Sequence, residues 1–156
     1  LVEGARLRKG ELSNCCDILI NKIILSVYMD VKQIKEVMKK YGEAWENQDS
    51  NLILECFTKN GIYQESPLAK PYRGHKEIKK FWDKVVKQET EKIKFRVGNC
   101  YVSEDGKTGF AEWECKNTHK KKKHHMVGIM ILKMRGNKIS YLNEYWNTKD
   151  FIKIIR

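Results

Sequence analysis

Arginine is scarce in this chain of 156 residues, standing only at Arg6, Arg8, Arg73, Arg96, Arg135 and Arg156, although 31 lysines and arginines against 20 acids give a net charge of +11. Such a basic excess raises nucleic acid or an acidic membrane surface as a partner. Base readout, however, relies on arginine forks and on arginine interleaved with stacking aromatics, and that pattern is missing. The charge reads as mostly a solvated lysine surface, and no specific nucleic acid is expected. Paired cysteines are missing too. Cys15, Cys16, Cys56, Cys100 and Cys115 form an odd set without a C-x-x-C, so one thiol must stay unpaired. A reducing cytoplasm fits that usage. Long apolar runs are also absent: Ile18-Leu19-Ile20 and Ile23-Ile24-Leu25 are split by Asn21 and Lys22, too short and polar for a bilayer span or a signal peptide. No membrane partner is expected.

The chain has the length of one domain, enough to bury roughly two-thirds of its unfolded surface without a metal or disulfide framework. Residues 1–28 read as a leader or appended segment outside the core, with a docking helix from about Asp17 to Tyr28 as the alternative. Met29-Asp30-Val31 then looks like a natural domain start, with Asp30 as a helix N-cap, which places the domain at 29–156.

Ile34, Val37, Met38, Tyr41 and Trp45 recur at three- and four-residue intervals, predicting a helix over about Val31 to Asn47 with these side chains on one face. Asp49-Ser50 can cap a short second helix carrying Leu52, Ile53, Cys56 and Phe57, which Lys59-Asn60-Gly61 would stop. Tyr63 to Glu65 follow as a short strand, and Pro67 and Pro71 keep the next segment irregular. A third helix opens at Gly74 and carries Ile78, Phe81, Trp82, Val85 and Val86. Strands are expected near Ile93–Ser103, Lys107–Asn117, His124–Arg135 and Lys138–Thr148, an antiparallel meander. Helices followed by strands give an α+β domain with helices layered on one sheet face. The other face is partly apolar, which suggests a homodimer.

The richest stretch for chemistry is Gly61-Ile62-Tyr63-Gln64-Glu65-Ser66-Pro67-Leu68, which sets a carboxylate among aromatics where helices and a curved sheet can enclose a cavity. Alternation along the second long strand turns either Ala111, Trp113 and Cys115 or Phe110, Glu112 and Glu114 inward. The apolar set is the expected inward one. On the last strand Leu142, Glu144 and Trp146 share a face, and a buried Glu144 would need a partner.

This order of elements, with Tyr63-Gln64-Glu65-Ser66-Pro67-Leu68, Tyr72-Arg73-Gly74 and Glu144-Tyr145-Trp146, resembles the nuclear transport factor 2-like superfamily from about Val31 to Thr148. The likeness is nearest to its SnoaL-like, limonene epoxide hydrolase and ketosteroid isomerase branches. It implies a cone-shaped fold, an α+β barrel in which a strongly curved, mostly antiparallel sheet wraps three N-terminal helices around an apolar pocket. By the isomerase likeness, Tyr41 corresponds to an oxyanion-donating tyrosine and Glu65 to the catalytic base. The isomerase's second donor falls near Gly128, Ile129 or Met130, where no acid stands. By the hydrolase likeness, Tyr63 corresponds to a water-holding tyrosine and Glu144 to a catalytic carboxylate, while the hydrolase's arginine has no counterpart among Ala111-Glu112-Trp113-Glu114.

The catalytic candidates are therefore Glu65, Tyr41 and Glu144. Trp45, Phe57, Tyr63, Phe81, Trp82, Trp113, Leu142 and Trp146 are candidate contacts for a small hydrophobic molecule, against the plainer reading that such residues form core. Tyr41 has a plain reading too, a core phenol bonded to a backbone carbonyl. His119-Lys120-Lys121-Lys122-Lys123-His124-His125 reads first as a solvated hairpin turn and secondarily as a weak anion contact. No metal or cofactor is expected. The expected function is an isomerase, cyclase or hydrolase of the SnoaL-like type, with Glu65 as base and Tyr41 as hydrogen-bond donor. The alternatives are a ligand-binding pocket without turnover and a dimeric interaction domain.

Overall fold

The computed structural model describes residues 29–150. The expected leader at 1–28, its alternative helix and Cys15 and Cys16 lie outside the described residues. Helix α1 spans Val31–Asn47 and opens on a capping box: Asp30 Oδ1 accepts from the Gln33 amide at 2.7 Å, and Gln33 Oε1 accepts from the Asp30 amide at 3.0 Å. Of the predicted stripe, Ile34, Val37, Met38 and Tyr41 are buried, together with Ala44, while Trp45 is partly buried. Asp49 caps α2, Ser50–Cys56, through the amides of Asn51 and Leu52.

Strand β1, Phe57–Gln64, follows α2 without a turn. Lys59-Asn60-Gly61 is thus part of a strand and not the expected helix stop. The reason lies across the sheet: β1 shifts register against its neighbour between Phe57 and Ile62, and a Cβ at Gly61 would sit 3.2 Å from the Ile139 carbonyl. Glycine serves a bulge and a close backbone approach.

After β2, Tyr72–Arg73, helix α3 runs over Gly74–Phe81, passes through a π turn at Trp82–Val86 and ends at Lys87–Glu89. A π turn withdraws carbonyls from the regular ladder. Two are taken by side chains, since Thr90 Oγ1 donates to the Val85 carbonyl at 2.8 Å and Gln48 Nε2 to the Val86 carbonyl at 2.7 Å.

Four long strands complete the domain: β3 Thr90–Val102, β4 Gly109–His119, β5 Lys122–Arg135 and β6 Lys138–Asp150. The six-stranded sheet has the order β2-β1-β6-β5-β4-β3. Only β1 against β6 is parallel. Register shifts in β3 and between β5 and β6 curve it, leaving β2 and β3 as free edges, so the α+β cone is unclosed.

The concave face carries Ala111, Trp113, Cys115, Met130, Leu132 and Leu142 against α1 and α3, all buried. Each fully buried aliphatic side chain contributes about 1.5–3 kcal/mol. Glu112 and Glu114 point the other way, Glu114 bonded to His125 Nε2 at 2.7 Å and Lys116 Nζ at 3.2 Å. No helix of the described residues is long and apolar enough to cross a membrane.

Candidate active site

Between the helices and the concave face lies a cavity of about 440 Å³, a size ordinary for a small-molecule site. Glu65 enters its wall from the loop after β1, Tyr63 from β1, Trp45 from α1, Phe81 and Val85 from α3, Phe95 and Trp113 from β3 and β4, and Glu144 and Trp146 from β6. At one end stand Glu89, Thr90, Asn117, His119, His124, Met126 and Thr148.

Glu144 is the centre of the polar chemistry. It is 4% exposed, and its Oε1 accepts from Tyr41 Oη at 2.6 Å and from Tyr63 Oη at 3.3 Å. Burial disfavours the ionised form and pushes the carboxyl up to about 8, although both phenols favour the charge. A charged Glu65 adds a smaller push in the same direction. The two phenols are themselves driven well above their ordinary range by burial and by Glu144, so they remain donors.

Glu65 sits in a pinned loop. Gln64 Nε2 donates to the carbonyls of Pro67 and Ala69, each at 3.1 Å, and Trp146 Nε1 donates to the Glu65 carbonyl at 2.6 Å. Its carboxyl is raised by burial alone. It is less buried than Glu144, so burial penalises its charge less. Two of the three carboxyls on the cavity wall, Glu65 and Glu144, thus have environments that separate their proton affinities, the arrangement from which an acid and a base are made, with Glu89 the third.

The sequence matches the SnoaL-like domain family over residues 38–142, more than half of the chain. The chain belongs to that family. Among solved structures, this SnoaL-like chain is similar to the epoxide hydrolase/cyclase-like enzyme SalBIII, described for pyran ring formation in the polyether salinomycin, at TM-score 0.65 and 16% identity over 76% of this chain and 93% of that one. It is also similar to a type 2 hexachlorocyclohexane dehydrochlorinase, LinA, at TM-score 0.68 and 10% identity over 79% and 89% of the two chains. A third likeness is to an LEH-like epoxide hydrolase of M. tuberculosis, at TM-score 0.63 and 9% identity over 75% and 84%. No curated protein matches the sequence.

Within the SnoaL-like cone the candidate residues separate into two sets. Trp45, Tyr63, Glu65, Phe81, Trp113, Glu144 and Trp146 line the cavity. Tyr41, Phe57, Trp82 and Leu142 are instead buried behind that wall, none more than 1% exposed. These four stand off the cavity wall, because a helix stripe or strand face meets core at one height and cavity at another. Phe57 backs Tyr63 edge-on at 6.1 Å, and Trp82 backs Tyr41 at 6.2 Å. Tyr41 bonds the Glu144 side chain rather than the backbone carbonyl of its plainer reading.

Phe95 was not foreseen. It stacks on Trp113 at 5.6 Å and on Trp45 at 6.4 Å, but its neighbours Lys94 and Arg96 hide it in a charged run. His119 belongs to the stretch that reads from the sequence as a solvated turn without accompanying carboxylates. It lines the cavity, its Nδ1–H donates to Thr90 Oγ1 at 2.9 Å because that hydroxyl's own hydrogen goes to the Val85 carbonyl, and its Nε2 lies 3.8 Å from Glu89 Oε2.

Gly128 explains the missing second oxyanion donor. It faces Trp113 on one side and Trp146 on the other, and a Cβ there would stand 2.7 Å from Trp146 Cβ. The Tyr145 carbonyl and the Cβ of Trp146 occupy the space that a side chain there would need.

Proposed function

We propose that this SnoaL-like domain is an acid–base enzyme acting on a small, largely apolar molecule, with Glu65 as general base and Glu144 as general acid. The observation that carries the reading is Glu144, buried and held near a pKa of 8 on two phenols, in one cavity with the more readily ionised Glu65. At neutral pH Glu65 accepts a proton from a hydroxyl, a water or a carbon acid. Neutral Glu144 gives its proton to the oxygen on which charge develops. The donors Tyr41 and Tyr63 then hold the carboxylate left behind, so Tyr41 is a positioning residue acting through Glu144. Isomerisation, cyclisation and hydration all need that paired transfer. The likeness to an epoxide hydrolase/cyclase-like enzyme and to a dehydrochlorinase supports the class and names no substrate.

A panel of hydroxy-epoxides, simple epoxides and β,γ-unsaturated ketones tests the proposal. Turnover of at least one member is expected, falling about 10²–10⁴-fold in Glu144→Gln and in Glu65→Gln. Undiminished turnover in both variants rejects the mechanism.

A second reading, a binding pocket without turnover, is favoured by the cavity wall, which includes no arginine among the described residues. Saturable binding of panel members with no product would support it. For partners we propose a homodimer through the convex face, where Tyr101, Val127 and Tyr145 are 47%, 51% and 42% exposed. Val127→Lys would then halve the solution mass.

A further inference from the structure

One end of the cavity runs into the most basic turn of the chain. The β4–β5 hairpin carries Lys120, Lys121, Lys122 and Lys123, flanked by His119 and His124, both of which line the cavity. Alternation fixes which lysine matters. Lys122 pairs with His119 and Lys123 with Thr118, so Lys122 shares the concave face with Asn117 and His119 while Lys123 stands on the convex one. Lys120 is committed to Glu89 at 3.2 Å, whereas Lys122 makes no ion pair among the described residues.

The turn's backbone adds a second observation. Lys120 and Lys121 have φ of 48° and 68°, the left-handed pair that a two-residue hairpin turn normally gives to Asn-Gly. Lysines occupy positions where their side chains bring strain and no packing. A third observation lies on the wall. Asn117 is 9% exposed, its Nδ2 meets only the sulfurs of Cys115 and Met126, and its Oδ1 has no partner. Turning the amide over lets Oδ1 accept from the Cys115 thiol and frees the NH2 for an acceptor atom of an occupant.

We infer that this end of the cavity is an anion subsite and that the occupant is an amphipathic acid, its apolar body among Phe95, Trp113 and Phe81 and its carboxylate-like head group on Lys122 with Asn117. The inference deepens the proposed function and rests on its reading of the cavity as a small-molecule site. It also fixes orientation: the head group stands at the hairpin and the reacting atoms stand at Glu144 and Glu65.

Two dyes with one ring body test it on the full chain: 1-anilinonaphthalene-8-sulfonate, which carries an anionic group, and N-phenyl-1-naphthylamine, which carries none. The sulfonate is expected to bind about tenfold tighter at low salt, an advantage that Lys122→Glu abolishes while leaving the neutral dye within about twofold. Lys123→Glu makes the same charge change on the other face and is expected to leave both dyes within about twofold. Equal losses in the two variants overturn the subsite, because a diffuse basic surface would produce them. So does a sulfonate that binds no tighter than the neutral dye, with the cavity reading left standing. Binding of neither dye overturns the cavity reading, and this inference with it.

Discussion

Glu114 and Glu144 occupy opposite faces of one sheet and end in opposite protonation states. On the convex face Glu114 has Lys116 and His125 as partners and stays in contact with water, and these hydrogen bonds lower its carboxyl below the ordinary range. On the concave face Glu144 has two phenols and no water-exposed surface to speak of, and it rises to about 8. Both carboxylates accept hydrogen bonds. Donors therefore do not decide the outcome; burial does, and it outweighs two phenol donors when no cation stands nearby. The convex face keeps charges as charges, and the concave face keeps a proton ready to move.

The largest expected effect breaks this comparison at its functional end. Glu144→Gln should cost about 10²–10⁴-fold in turnover, whereas Glu114→Gln should leave it within about twofold, measured as kcat on the same substrate. Packing comes next. Leu132→Ala, at a fully buried concave position, should lower unfolding free energy by about 2–5 kcal/mol, and Val127→Ala, half-exposed on the convex face, by no more than about 0.5 kcal/mol in denaturant titrations of the monomer.

Stability against pH separates the two carboxyls by sign. Glu144 has a folded value above its unfolded one, so its contribution is fully present below about 4.5 and is lost as pH rises through about 8. Stability should fall across that window by up to about 1.4 kcal/mol per pH unit, and Glu144→Gln should flatten the decline. Glu114 has a lowered value, so its contribution is present above about 4.5 and disappears as the solution is acidified. Glu114→Gln should remove only a shallow acid-side slope. Tyr41→Phe is expected to cost about 1–3 kcal/mol of stability by leaving Glu144 one donor short. The same substitution should move the Glu144 midpoint further up, because the lost hydrogen bond favoured the charged form.

Much of the fold was legible because its signals are local. Asp30 announces the start of α1, its stripe repeats at helical spacing, and Ala111, Trp113 and Cys115 alternate inward as strand geometry requires. Glu65 was legible as a cavity carboxylate for the same reason, standing beside aromatics and prolines in one short stretch. What was hidden depended on pairing at long range. Gly61 looks like a helix stop until Ile139 is seen across from it, and Phe95 looks solvated until Trp113 is stacked on it. Tyr41 and Glu144 are 103 positions apart, so the family likeness could suggest that both mattered but not that they bond each other. In the proposed mechanism the place of hydrogen-bond donor to the substrate therefore passes from Tyr41 to Glu144, with Tyr41 as its support.

The two ends of the cavity repeat the lesson on a smaller scale. At the inner end a carboxyl is deprived of cations and keeps its proton. At the hairpin end lysines crowd a single turn, and only the side each one faces distinguishes Lys122 from Lys123.

The central claim is that Glu144 holds a proton in neutral solution while Glu65 has lost one. Titration of the glutamate side-chain carboxyl carbons by carbon-13 NMR, with resonances assigned through Glu144→Gln and Glu65→Gln, measures it directly. A Glu144 midpoint near 8, with Glu65 titrating well below it, is the predicted result. A Glu144 midpoint near 4.5, or a Glu65 that ionises after Glu144, would contradict the account.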